Sequence, residues 1–190
     1  MAEADSKKDQ AIYHEKQRLQ MCAVHAINNL FQGSNVLKRE DMNSICKELS
    51  PNTLVNPHMS VFGVGNYDVN AIMAVMSRRG YEVVWFDKRK SLDGINFGNI
   101  YGMFINTVAK WDTFKIPFKL FRHWFAIRQI GGIYHNLDSK LKRPEKIGSE
   151  LDLRSYLKSK LSEQKTELLL VVEMSIAEER SWEIPKSSPT

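Results

Sequence analysis

The stretch FRHWFAIRQIGGIYHNLD, residues 121–138, decides the fold because it holds two apolar runs joined by a pair of glycines. Runs rich in β-branched and aromatic residues predict strands, and Gly131 and Gly132 between them are typical of a two-residue hairpin turn. With that turn, Ile127 lies opposite Asn136 in the paired strands. The sequence therefore predicts an antiparallel hairpin with a defined register.

This register distinguishes the two histidines of the hairpin. His123 is a diagonal neighbour of Asp138, at about 7–8 Å between backbones, a distance that side chains can bridge. Asn136 lies one step further from His123 and is the second choice, whereas His135 points to the opposite face. A slip of one residue would reverse these orientations. The hairpin predicts a His123–Asp138 pair; taken alone, an edge histidine beside a surface aspartate remains the simpler interpretation.

The rest of the chain places helices before strands. Apolar residues at spacings of three and four indicate three helices in the first half and one near the end. The strands at 81–86, 100–106 and 167–174 read as buried on both faces. This order predicts an α+β fold in which N-terminal helices pack on one side of a curved, mainly antiparallel sheet. The helices are predicted at 22–32, 38–49, 69–79 and 150–162, and the hairpin strands at 121–130 and 133–138.

Length and composition indicate one domain. The chain has 190 residues, 43% of them hydrophobic and 26% charged, which is ordinary for a globular protein. We expect a flexible segment at 1–11, a catalytic domain at 12–180 and a loose tail at 181–190. The polar start lacks the apolar core of a secretory signal, and no apolar run is long enough for a membrane span.

Charge and cysteine content narrow the partners and the compartment. Two cysteines cannot form the disulfide framework of a small secreted domain, so we expect free thiols in a reducing, cytoplasmic environment. The net charge of +5 is spread along the chain among acidic residues, which favours solvated faces over a nucleic-acid groove. Peripheral contact with an acidic surface, the plasma membrane included, stays open as an alternative. The protein is expected to be a monomer.

Cys22 is the candidate nucleophile. It stands where the first helix begins, and the unpaired N–H groups of a helix start favour a thiolate. The alternative is a buried structural cysteine, which is the usual role of a lone cysteine and the one expected for Cys46. A nucleophile also needs a base. His25, three residues after Cys22, could touch the thiol but leaves no room for substrate between them, so we favour His123 from the hairpin.

Two further roles are open at this stage. Gln17, five residues before Cys22, could donate its amide N–H to the oxyanion, with Gln20 as competitor; a surface glutamine is the alternative for both. Zinc binding by Cys22 and His25 would need at least two more ligands, and no suitable spacing supplies them. We therefore expect neither a metal nor another cofactor.

Five separated blocks, quoted in order, now show a resemblance. YHEKQ, CAVHAINNLFQ, GNYDVNAIMAVM, HWFAIR and YHNLDSK together resemble the Josephin family of deubiquitinating cysteine proteases, over about residues 12–172. The short length is similar to that of the members that consist of a Josephin domain alone. The resemblance implies a papain-like fold and hydrolysis of isopeptide or peptide bonds after the terminal glycine of ubiquitin, with ubiquitin and ubiquitinated proteins as partners.

The resemblance also assigns roles to individual residues. It implies Cys22 as nucleophile, His123 as base, Asp138 as the orienting residue where some members have asparagine, and Gln17 as oxyanion donor. It further implies that the region 35–64 is a helical arm over the site. A catalytically weak ubiquitin-binding adaptor of the same fold is the main alternative, and another Cys-His-Asp enzyme, such as an acyltransferase or transglutaminase, is the second.

Overall fold

The glycine-turned hairpin lies inside a six-stranded sheet in the computed structural model, which describes residues 11–60, 65–108 and 122–185. The strand order is β1-β6-β2-β3-β4-β5, and each neighbouring pair is antiparallel. The expected flexible segment at 1–11 lies almost wholly outside the described residues, as does the end of the chain from 186. The predicted α+β, papain-like class is confirmed.

The elements lie close to where the sequence places them. Short 3-10 turns occupy Leu92–Gly94 and Phe97–Asn99, between β1 and β2. The helices are α1 Cys22–Phe31, α2 Arg39–Leu49, α3 Val69–Ser77, α4 Glu150–Ser162 and α5 Met174–Glu179. The strands are β1 Tyr81–Trp85, β2 Gly102–Val108, β3 Arg122–Ile130, β4 Ile133–Asn136, β5 Glu145–Gly148 and β6 Glu167–Glu173.

The predicted hairpin register is confirmed. Ile127 pairs with Asn136, and the pairing continues to the turn. Gly131 and Gly132 both have positive φ, at 59° and 81°, as the turn type that matches strand twist requires. The register fixes which side chains of β3 and β4 share a face, and with it the surroundings of His123.

Helix α1 is buried around its whole circumference, rather than along one stripe. Every residue from Cys22 to Leu30 is buried. One side of α1 lies on β3, and apolar side chains of α2 and α3 join the same hydrophobic cluster. Buried polar residues such as Asn28 and Asn29 occupy the remaining surface. A helix enclosed on all sides holds its first residue, Cys22, in a fixed position.

The opposite face of the sheet is covered by α4. Leu153 and Leu157 pack there with Phe125 and Ile127 of β3, whereas Trp124 and Ala126 belong to the α1 side. The N-terminal helices therefore share one face of the sheet, as the sequence predicts, and the late helix α4 lies on the other. Strand β3 is apolar on both faces and needs cover on both.

The margins of the domain differ most from expectation. β1 is an edge strand in which Trp85 is 50% exposed, so it is not buried on both faces. β5 and α5 were not predicted, because short, charged edge elements carry little periodicity. Trp182, placed in the expected tail, is only 9% exposed and accepts a hydrogen bond from Asn96 N at its carbonyl oxygen. The packed chain thus continues beyond residue 180.

Within the described ranges, no helix combines the length and the apolar character that crossing a bilayer demands.

Gly102→Ala is expected to destabilise the fold. A Cβ on Gly102 would lie 2.4 Å from Leu30 Cδ1 and 3.0 Å from the Ile127 carbonyl oxygen, so β2 could not stay against α1 without rearrangement. Overpacking of this kind costs about 1–3 kcal/mol in the free energy of unfolding. Gly94→Ala, whose Cβ would meet nothing within 4 Å, is the matched control. Equal urea midpoints for the two variants would contradict the packing described for β2.

Candidate active site

Cys22 is the first residue of α1, as the sequence predicts. The preceding residue, Met21, makes no side-chain hydrogen bond to the helix start. The first N–H groups of α1 therefore have no side-chain cap within the described chain, and their partial positive charge acts on the Cys22 thiol. The thiol is buried and free, not in a disulfide. The Cys22 thiol thus lies at the end of α1 where the helix N–H groups are not capped by a side chain.

His123 lies beside both of its predicted partners. Its Nε2 is 2.7 Å from Asp138 Oδ1, and the Cys22 side chain is close enough to act on its pKa. Burial lowers the pKa of His123, but its interactions with the Asp138 carboxylate and with Cys22 outweigh burial and raise the pKa above its ordinary value. Because Nε2 carries the proton shared with Asp138, Nδ1 is the nitrogen available to the thiol.

Asp138 is held as a carboxylate. Burial raises its pKa, but the hydrogen bonds that it accepts from His123 and from the Lys140 backbone N–H lower the pKa by more. The net pKa therefore lies below the ordinary value. Asn136 does not bind His123. Its Oδ1 accepts from Asp138 N at 3.0 Å, and its Nδ2 donates to Glu145. Of the two candidates, the geometry brings Asp138 to the imidazole and makes Asn136 a support for the Asp138 backbone.

Asn29 connects the segments that carry these groups. This α1 residue is fully buried, and its Nδ2 donates to the Leu137 carbonyl at 2.9 Å, next to Asp138. Its Oδ1 accepts from Glu15 N at 2.6 Å. His14 Nε2 adds a hydrogen bond to the Asp138 carbonyl at 2.9 Å. The N-terminal segment, α1 and the loop after β4 are thereby joined around the site.

Gln17 lies at the junction of the N-terminal segment and that loop. Its backbone N–H donates to the Ser139 carbonyl at 2.8 Å, and its side-chain Nε2 donates to the Leu19 carbonyl at 3.2 Å. Gln17 Oε1 and Ser139 Oγ are both buried with no hydrogen-bond partner among the described residues. Such orphaned polar atoms are rare in folded proteins and often mark functional sites.

The competitor of Gln17, Gln20, has an exposed side chain. Its backbone carbonyl accepts from Asn66 N at 2.8 Å, and Gly65 approaches so closely that a Cβ there would lie 2.0 Å from the same oxygen. Leu19, between the two glutamines, has a φ of 52°, in the left-handed region that few non-glycine residues adopt. The turn at Leu19 separates a buried Gln17 amide from an exposed Gln20 side chain.

The remaining histidines and the second cysteine have other partners. His25 binds Glu15 and the Arg18 N–H, His58 binds Asp68, and His135 bonds to a carbonyl within its own hairpin. The Cys46 thiol donates to the His58 carbonyl. Burial raises the pKa of Cys46 to about 11, which keeps it a thiol at neutral pH. Across the described ranges, no group of three or more potential ligands could hold a metal ion.

Sequence reasoning missed Asn29 and His14 at this site. Both fall within stretches that the sequence analysis singled out, but each hydrogen-bonds to a carbonyl group more than 100 positions later in the chain. Polarity was the one available signal, because Asn29 lies on an otherwise apolar helix and a buried amide needs partners. No pattern in the sequence names those partners.

Comparison with known proteins gives a consistent result. A sequence profile named Josephin matches residues 17–172, a range that includes all four candidate residues. Human Josephin-2 is 42% identical over 173 residues, which cover 90% of this chain and 91% of that protein. A Drosophila melanogaster Josephin-like protein is 37% identical, covering 92% of this chain and 81% of that protein. Human ataxin-3 is 26% identical, covering 73% of this chain and 39% of that protein.

The His123–Asp138 pair predicts a pH dependence of stability. Asp138 has a lowered pKa, so its contribution is present above its ordinary value of 3.8 and is lost as the pH falls through the folded value. His123 has a raised pKa, so its contribution is complete below its ordinary value of 6.5 and is lost as the pH rises through the folded value. The pair is therefore expected to stabilise the fold most between these two ordinary values.

Urea denaturation of wild type and Asp138→Asn at several pH values measures this effect. The difference in the free energy of unfolding is expected to be larger near about pH 5.5 than near about pH 8.5. Asp87→Asn, which removes an exposed carboxylate paired with Arg89, is the control and should show no such trend. A difference for Asp138→Asn that grows with pH would contradict the pairing.

Proposed function

Because the chain belongs to the Josephin family, we propose that it is a deubiquitinating cysteine protease that cleaves bonds after the C-terminal glycine of ubiquitin. One observation carries the proposal: His123 hydrogen-bonds to the Asp138 carboxylate and lies close to the Cys22 thiol, which stands at an uncapped helix start. This is the arrangement needed to form a thiolate and to deliver its proton to a leaving group. Its partners would be ubiquitin and ubiquitinated proteins, met as a monomer in the cytoplasm.

The first half of the reaction forms a thioester. Cys22 Sγ, having given its proton to His123 Nδ1, attacks the carbonyl carbon of the terminal glycine of ubiquitin. The C–N bond then breaks, and the proton on His123 passes to the departing lysine amine. In the second half, His123 takes a proton from water, the hydroxide attacks the thioester, and the proton returns to Cys22 as the thiol leaves.

Asp138 acts by orientation and charge. Its Oδ1 accepts from His123 Nε2, which fixes the tautomer and directs Nδ1 toward Cys22. The lowered pKa of Asp138 keeps it ionised throughout, so it stabilises the imidazolium without taking its proton. The Lys140 N–H, which shares the same oxygen, holds the carboxylate in place.

The oxyanion would be bound by Gln17 and the backbone N–H of Cys22. What supports this is the absence of a side-chain cap on α1 among the described residues, together with a half-buried Gln17 whose amide is held by the Leu19 carbonyl, three positions before Cys22. Donors fixed before the reaction stabilise a developing charge more than solvent does. Gln17 precedes α1 and Cys22 is its first residue, so the Gln17 amide and the Cys22 N–H can converge on one oxygen.

Labelling by ubiquitin with a C-terminal thiol-reactive group tests the enzyme and its nucleophile. Wild type is expected to label and Cys22→Ala to lose all labelling, because the nucleophile is gone. His123→Ala should lose nearly all labelling because it lacks the base, and Asp138→Ala only part of it because the base remains but is no longer oriented. Labelling is read as a mass shift on intact protein.

Cys46→Ala is the matched control, since it removes the other buried thiol and should label like wild type. Labelling of Cys22→Ala would show that the nucleophile is wrong. Binding of ubiquitin without labelling of wild type would favour the adaptor of the same fold, and transfer to an amine in preference to water would favour an acyltransferase.

Gln17→Ala tests the oxyanion role. We expect kcat for a ubiquitin–fluorophore amide to fall by about 10²–10³, with little change in KM, because the lost hydrogen bond forms only as charge develops. Gln20→Ala removes an exposed side chain of the same type and should keep wild-type kcat. Equal kinetics for the two variants would remove Gln17 from the mechanism.

A further inference from the structure

A second carboxylate–histidine pair lies beside the site and has no part in the proposed reaction. Glu15 Oε2 is 2.6 Å from His25 Nδ1, and both side chains are largely shielded from solvent. Glu15 Oε1 accepts from the Tyr13 hydroxyl and from Asn28 Nδ2. Burial raises the pKa of Glu15, but its hydrogen bonds from His25, Tyr13 and Asn28 lower it on balance, so it is a carboxylate.

The second nitrogen of His25 fixes its tautomer. The Arg18 backbone N–H donates to His25 Nε2 at 3.2 Å. A backbone amide can only donate there, so Nε2 carries a lone pair and the single ring proton is on Nδ1, directed at Glu15. Both ring nitrogens of His25 are thus engaged, and their donor and acceptor roles are the reverse of those in His123.

The contact between the Arg18 N–H and His25 restrains the chain next to Gln17. Arg18 directly follows Gln17, and the left-handed turn at Leu19 comes next. The peptide before Gln17 is fixed by its N–H to Ser139, and the peptide after it by the N–H to His25. The Gln17 backbone is therefore held at both sides, one contact to the β4 loop and the other to the helix that carries Cys22.

We propose that His25 is a positioning residue, which locks the segment carrying Gln17 against α1 so that the Gln17 amide is aligned with the Cys22 N–H. The proposal rests on the oxyanion role of Gln17 in the proposed function. In this proposal, His25 neither transfers a proton to or from Cys22 nor binds the substrate. It acts through the Arg18 N–H, and Glu15 sets the tautomer that makes this possible.

Kinetics of His25→Ala and His25→Gln test the proposal. His25→Ala is expected to lower kcat for a ubiquitin–fluorophore amide about tenfold or more. KM should change little, because the substitution misplaces an oxyanion donor and leaves the surface that binds ubiquitin unchanged. Glutamine offers an amide oxygen to Arg18 N–H and an N–H to Glu15, so His25→Gln should recover most of kcat. His135→Ala, which removes a histidine that is 9% exposed and whose ring hydrogen-bonds to the Ile133 carbonyl of the same hairpin, is the matched control.

Alkylation of Cys22 by iodoacetamide separates positioning from general damage. This reaction needs the Cys22–His123 pair but develops no oxyanion, so its rate should be nearly the same in wild type, His25→Ala and His25→Gln. A parallel loss of alkylation and hydrolysis would mean that His25 only supports the fold, and would overturn the proposal. Nitrogen-15 NMR of wild type at neutral pH should show His25 with its proton on Nδ1; a proton on Nε2 would also overturn it, whether or not any variant folds.

A double-mutant cycle distinguishes failure of this proposal from failure of the proposed function. If His25 acts through Gln17, then His25→Ala should have almost no further effect on kcat in a Gln17→Ala background. Full additivity would reject the positioning role and leave the oxyanion role intact. If Gln17→Ala alone is silent, the oxyanion assignment fails, and the positioning role fails with it.

Discussion

The hydrogen bonds of one buried amide, Asn29, hold together the parts on which the site depends. Its side chain joins the α1 helix to the backbone at Glu15 and at Leu137. The first of these segments leads to Gln17, the second ends in Asp138, and α1 itself begins with Cys22. A buried amide with both ends satisfied contributes modest net stability, but leaving either end unpaired would cost about 1–3 kcal/mol. The geometry of the site is thus tied to the stability of the core.

Two carboxylate–histidine pairs differ in which ring nitrogen they use. In one, the carboxylate accepts a hydrogen bond from Nε2–H, which leaves Nδ1 of His123 for a thiol. In the other, the carboxylate accepts a hydrogen bond from Nδ1–H, which leaves Nε2 of His25 for a backbone amide. In the proposed mechanism, the same chemical unit would serve proton transfer in one place and loop geometry in the other. The difference lies only in what faces the second nitrogen.

Much of this arrangement could be read from the sequence, because it depended on local rules. The glycine pair set the hairpin register, and the register set the His123–Asp138 contact that the structure shows. The start of α1 at Cys22 followed from helical periodicity. The choice of Asp138 over Asn136 also came from counting along strands, although the supporting bond between the two needed coordinates.

The sequence could not predict the contacts that have no periodic pattern. Asn29 and His14 bind carbonyl groups more than 100 positions away, and any residue can supply a carbonyl. The burial of α1 on all sides depends on three other segments folding over it. His25 was rejected as a base from its spacing, but its actual partners, Glu15 and the Arg18 N–H, come from a stretch without regular secondary structure.

The complete enclosure of α1 has a consequence for how this protein can change over time. Residues 23–30 have almost no freedom to vary, since each substitution there is felt first as a loss of folded protein. Exposed side chains such as those of Leu19 and Leu54 carry no such packing restriction. Exposed positions can therefore change at little cost to folding, whereas selection for the amount of folded protein would by itself preserve the sequence of α1.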